Sequence, residues 1–126
     1  MDDRLRLRLD LFREMAQTPP GVVEFVTSEL ARLEPDFEVT DDTAGSLTSH
    51  LVAALGRLLR GEPDVEPPAD AVYQQVVDEA PAAVDAAAGV SGRAQAALGV
   101  ALSAVEQQYL SLHLGALALT ATKENR

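Results

Sequence analysis

The 126-residue chain has no cysteine and no tryptophan, few aromatic residues of any kind, and only two histidines. Without cysteine there is no disulfide, no thiolate nucleophile and no cysteine-based zinc or iron–sulfur site. Basic charge is also scarce: ten Lys and Arg stand against twenty Asp and Glu, giving a net charge of -10 and a pI near 4.4. Nucleic-acid affinity comes largely from basic side chains that neutralise phosphates, so direct DNA or RNA binding is not expected. The one basic cluster, Arg4, Arg6, Arg8 and Arg13, is offset by Asp2, Asp3, Asp10 and Glu14 and reads as a solvated helix face. No apolar run approaches the roughly 20 residues that span a bilayer. The N-terminus lacks the apolar segment of a signal peptide, and a soluble, cytoplasmic protein is expected.

The usual signatures of catalysis are missing as well. There is no phosphate-binding glycine loop, no HExxH, no G-x-S-x-G elbow and no cysteine–histidine pair. The chain therefore reads as a non-enzyme with no cofactor. Nothing in the spacing of His50, Glu106 and His113 demands a metal. The acidic pairs Asp41–Asp42 and Asp78–Glu79 read as helix-end and surface charges. A chain of this length fits one domain, residues 1–126, and buries roughly two thirds of its unfolded surface without a staple.

Taken in order, the chain punctuates itself into helices. Arg4 to Leu11 alternates arginine or aspartate with leucine, which taken literally is a strand pattern. Good helix formers, no β-branched residue and a series through Leu5, Leu9, Phe12 and Ala16 favour helix instead. Thr18-Pro19-Pro20-Gly21 breaks it, with Thr18 as N-cap and Pro19 at the first position of a second helix. That helix carries the stripe Val22, Val23, Phe25, Val26, Leu30 and Leu33 and stops at Pro35.

Asp41 and Asp42 suit the positive end of a third helix, whose core stripe is Leu47, Leu51, Ala54, Leu55 and Leu58 and whose stop is Gly61. His50 falls at the edge of that stripe, and Arg57 lies where the two can line a common groove. Pro63, Pro67 and Pro68 with intervening acids make Glu62 to Asp70 a stiff, solvated connection. Ala71 to Ala80 reads as a short helix burying Val72, Tyr73, Val76 and Val77, and Pro81 either ends it or begins the next. Ala82 to Leu98 allows one long helix or two short ones, and Gly99 marks a stop.

Ser103 and Glu106 then stand in capping-box spacing, which starts the last helix near Ala104. Its body from Leu110 to Ala121 has no charge and few polar side chains besides Ser111 and His113. Apolar on nearly every side, it is expected to be buried. A buried histidine needs a hydrogen-bond partner for a ring nitrogen, since an unsatisfied polar group costs about 1 to 3 kcal/mol. The sum is an all-α, compact bundle of five to six mostly antiparallel helices.

Two stretches carry a family resemblance. The first reads His50-Leu-Val-Ala-Ala54-Leu-Gly-Arg57-Leu-Leu-Arg-Gly61, with Ala four, Arg seven and Gly eleven residues after His. The second runs Gly99-Val-Ala-Leu-Ser-Ala-Val-Glu106-Gln-Gln-Tyr109-Leu-Ser-Leu-His113, with Glu seven residues before His. Together they resemble the PTS regulation domain, the all-helical module of bacterial regulators controlled by the sugar phosphotransferase system. Ser49 and Gly115-Ala116 depart from the usual neighbours of the two histidines, and Tyr73 lacks the adjacent proline common in the family.

The resemblance implies a small stand-alone member that lacks a nucleic-acid-binding domain. In such a domain His50 and His113 accept phosphoryl groups from the histidine-containing phosphocarrier protein or a sugar-permease component, supported by Arg57 and Glu106. It further implies a homodimer that acts through protein contacts in transcriptional regulation of carbohydrate use. The alternative is a non-phosphorylated helical dimerisation or scaffold module.

Overall fold

The computed structural model describes residues 1–123. Among them the chain forms six helices: α1 (Asp3–Glu14), α2 (Val22–Leu33), α3 (Asp41–Leu59), α4 (Asp70–Glu79), α5 (Pro81–Leu98) and α6 (Ala104–Ala121). The expected all-α bundle is the observed one. Strand pairing among the described residues is limited to a single bridge between Phe37 and Thr122, which ties the α2–α3 loop to the end of α6. No described helix is long and apolar enough to cross a membrane.

α1 forms despite its alternating pattern because Leu5 and Leu9 share one face and are buried, with Phe12 half-buried beside them. The helix ends at Glu14, so Ala16 lies beyond it and is exposed rather than part of the stripe. The helical period also leaves Leu7 and Leu11 on the outside. Asp2 caps the helix by accepting from the Leu5 amide at 3.0 Å, and it also accepts from the Asp41 amide at 3.1 Å. The arginines are more than a solvated face. Arg8 Nε donates to Asp41 at 2.7 Å and its Nη1 to Ser49 Oγ at 2.9 Å, fastening α1 to α3.

The second helix does not begin at Thr18. Gly21, at φ +89°, is the N-cap of α2, and the two prolines before it form a turn closed by the Val22 amide on the Pro19 carbonyl. A left-handed residue is needed where the chain swings from that turn into the helix. A Cβ at position 21 would also come within 3.2 Å of Leu98. Glycine meets both constraints.

In α3 the Thr40 side chain accepts from the Thr43 amide while the Thr43 hydroxyl accepts from the Thr40 amide, a reciprocal cap. Asp41 and Asp42 occupy the first turn, and Gly61 at φ +72° follows the last. Leu47, Leu51, Ala54 and Leu55 are buried and Leu58 is half-buried. α5 is one continuous helix with Pro81 at its first position, and Gly99 at φ +78° ends it. Its alanines Ala83, Ala87 and Ala94, with Val90, are buried and let it lie close to α6.

Two burial expectations fail at the same place. α4 buries no side chain fully, and Val72 is 48 % exposed. α6 is buried along Glu106, Leu110, Ser111, Leu114, Leu117 and Ala121, but Leu119 is 86 % exposed. The reason is positional. α4 lies at the edge of the bundle against only α5 and α6, so a shallow apolar groove lined by Val72, Val76, Leu112 and Leu119 stays open between α4 and α6. The core itself joins α1, α2, α3, α5 and α6 around Leu5, Val26, Leu30, Leu51, Leu55 and Leu110.

Candidate functional site

Each residue of the site occupies a helix position that the local sequence fixes. His50 and Arg57 are two turns apart on α3, which is held in register by its buried leucines. Glu106, Tyr109 and His113 recur at three- and four-residue intervals on α6, so one face of that helix carries all three. Because α3 and α6 pack against each other, the two faces meet.

The rings of His50 and His113 lie 5.0 Å apart centre to centre, tilted by 39°. Tyr109 also packs against His50, ring centres 5.4 Å apart. Beneath them Arg57 Nη2 donates to Glu106 Oε2 at 3.1 Å, and His50 Nε2 lies 3.7 Å from the same oxygen. The last separation is too long for a hydrogen bond. His50 Nε2 and Glu106 Oε1 are both buried and have no hydrogen-bond partner. The four residues singled out by the sequence, His50, Arg57, Glu106 and His113, therefore share one cluster.

Capping at the start of α6 is one-sided. Ser103 Oγ accepts from the Glu106 amide at 3.2 Å, but the Glu106 carboxylate, only 3 % exposed, faces Arg57. Burial explains the choice: a carboxylate withdrawn from water needs a cation more than it needs an amide. The backbone of Glu106 thus serves the helix start, and its side chain serves the cluster.

The electrostatics follow from burial. Desolvation pushes the His50 imidazole below its ordinary range, and the Arg57 guanidinium pushes it further the same way. Desolvation also lowers His113, with His50 as the second cause. Both rings are accordingly neutral at pH 7 and hold a lone pair on one nitrogen. Burial raises the Glu106 carboxyl, Arg57 opposes that shift, and Asp64 from the α3–α4 connection adds to it.

Among the described residues no group of three His, Cys, Asp or Glu side chains has the arrangement of a metal site. Searches against family models, curated proteins and solved structures return no match. The cluster joins two imidazoles, a guanidinium and a buried carboxylate where α3 meets α6. A small, partly open cavity lies on another side of α6, among Leu30, Leu51, Val90 and Leu114.

Tyr109 is the residue that sequence reasoning passed over. Its hydroxyl donates to the Glu66 carbonyl at 2.6 Å, so it touches both His50 and the α3–α4 connection. The signal was present in the helical interval linking Glu106, Tyr109 and His113.

Proposed function

We propose that the protein is a regulatory domain of the PTS regulation type, in which His50 and His113 accept phosphoryl groups from a phosphocarrier protein or sugar-permease component. The observation that carries this reading is the pairing of two imidazoles, 5.0 Å apart on different helices, beside the Arg57–Glu106 ion pair. A neutral imidazole nitrogen is the nucleophile such a transfer needs. The new P–N bond forms as the donor's P–N bond breaks, and the proton leaving the acceptor's other ring nitrogen balances the one the donor ring takes up. The transferred group adds about two negative charges.

Those charges have one partner and one opponent close by. Two unit charges about 4 Å apart interact by roughly 4 kcal/mol at an effective dielectric near 20. A phosphoryl group draws Arg57 and repels Glu106, and coupling between sites needs only about 1 to 3 kcal/mol. Phosphorylation thus repartitions the α3–α6 contact. The output passes to a protein partner or to a second copy of the chain in a homodimer, and from there to transcriptional control of carbohydrate use.

The decisive experiment is incubation with phosphoenolpyruvate, the general phosphotransferase enzyme and the phosphocarrier, followed by residue mapping. Acid-labile label in the wild type that is lost from the His50→Ala/His113→Ala double variant is the expected result. An unlabelled wild type overturns the acceptor role and leaves the chain as a dimerisation or scaffold module.

A further inference from the structure

The segment between α3 and α4 is an acidic strap. Residues 61–69 are exposed except for half-buried Pro68, and they carry Glu62, Asp64 and Glu66 among three prolines. Its start is fixed by the end of α3, where the Glu62 amide donates to the Arg57 carbonyl at 2.9 Å and Arg60 pairs with the Glu62 carboxylate. Beyond that point, among the described residues, the hydrogen bond holding residues 63–68 to the bundle is the one from Tyr109 to the Glu66 carbonyl. A proline-rich segment has little backbone freedom to lose, so one good anchor holds it.

That anchor is the same side chain whose ring packs on His50. Asp64, on the strap, is near enough to influence the buried Glu106 carboxyl. We propose that Tyr109 is a positioning residue: its ring fixes the His50 imidazole, its hydroxyl fixes the acidic strap, and a change at either end is transmitted to the other. The link exists in the unmodified protein, and its use as a phosphorylation readout rests on the function proposed above. A phosphoryl group on His50 sets two negative charges beside a ring that must stay in place for the hydroxyl to reach Glu66. The strap's own carboxylates are repelled by the same charges. Tyr109 then leaves its position, and the strap, with α4 behind it, comes free of α6.

The absence of native cysteine makes the test direct, since Val65→Cys gives one labelling site in the middle of the strap. A nitroxide there reports strap motion, and NMR titration of His50 reports the other end of the link. Tyr109→Phe keeps the ring and removes the hydroxyl. It should abolish the immobilised component of the nitroxide spectrum while leaving the His50 titration unchanged. Tyr109→Leu removes both, so it should free the strap and move the His50 pKa back up toward its ordinary value as water reaches the ring.

An immobilised strap in Tyr109→Phe overturns the anchor. An unshifted His50 in Tyr109→Leu overturns the positioning role. Phosphorylated wild type should show the same mobile spectrum as Tyr109→Phe, and phosphorylation of Tyr109→Phe should add nothing. A phosphorylated wild type whose strap stays immobile overturns the transmission. Failure of the wild type to take up phosphoryl removes the proposed function, while the unmodified spectra still decide the link.

Discussion

Arg57 Nη2 donates to Glu106 Oε2 at 3.1 Å, and this contact joins the middle of the chain to its last helix. The partners are unequally placed: Arg57 is a quarter exposed, whereas Glu106 retains only 3 % of its surface. The arginine can find water if the pair breaks, and the carboxylate cannot.

Removing Arg57 should therefore cost more than neutralising Glu106. Arg57→Ala strands a buried charge and is expected to cost about 3 kcal/mol, near the low end for such a loss because the site lies close to the surface. Glu106→Gln keeps the shape and the amide that Ser103 caps, and it should cost no more than about 1.5 kcal/mol. The double variant should recover part of the Arg57→Ala loss, since no charge is then left unpaired. Urea denaturation of the four proteins completes the cycle, and a double variant as unstable as the sum of the singles would contradict the pairing.

Acid should weaken the fold through the two histidines. Both folded-state pKa values lie below the ordinary 6.5, so the unfolded chain binds protons more readily and stability falls as pH drops from about 6.5 through the lowered values. Glu106 acts in the opposite sense. Its raised pKa means that its contribution is fully present below the ordinary 4.5 and is lost as pH rises through the folded value. In His50→Ala/His113→Ala the decline of the urea midpoint between pH 7 and pH 5 should flatten. An unchanged slope would show that the rings are not held neutral by burial.

Helix starts provide a comparison of two caps. Thr40 is reciprocally bonded with Thr43, whereas Ser103 caps Glu106 in one direction only. Replacing either with alanine should cost about 1 kcal/mol. Thr40→Ala should cost the less of the two, because the bond from its own backbone amide to the Thr43 hydroxyl survives the substitution, whereas Ser103→Ala removes its cap outright. Thermal unfolding of both variants measures the difference.

The edge position of α4 predicts tolerance. Val72→Ala, at a site 48 % exposed, should change stability by less than about 0.5 kcal/mol. Leu51→Ala, at a site 2 % exposed in the core, should cost about 2 to 5 kcal/mol. Similar losses at the two positions would mean that α4 is covered in solution by a further surface.

Local physics made the helical outline legible. Gly61 and Gly99 adopt the positive φ that a helix stop favours, and Ser103 marks the start of α6, whereas Pro81 read equally as a stop or a start and begins α5. The periodicity of α3 located its core stripe, and the motifs around His50 and His113 selected four residues that the fold places together. Where two local rules competed, the sequence could not arbitrate. Thr18-Pro19 satisfies one helix-start rule and Gly21 another, and the close approach of Leu98 to Gly21 is a tertiary fact.

Burial and partnership were decided only by the packing of the helices. Val72 and Leu119 look like core residues in a one-dimensional pattern, yet an edge helix leaves them open. Glu106 fits a capping box until α3 brings Arg57 against it and the buried carboxylate takes the cation. Glu29, a surface-type residue on α2, is buried because Arg93 of α5 grips both its oxygens at 2.7 and 2.8 Å. In each case the deciding partner is distant in the chain, as Glu66 is from Tyr109. The sequence by itself determined which residues turn into helices and which can carry chemistry, because those preferences act over one or two turns. The tertiary structure decided which are buried and whom they touch, because burial and pairing depend on groups the local chain does not contain.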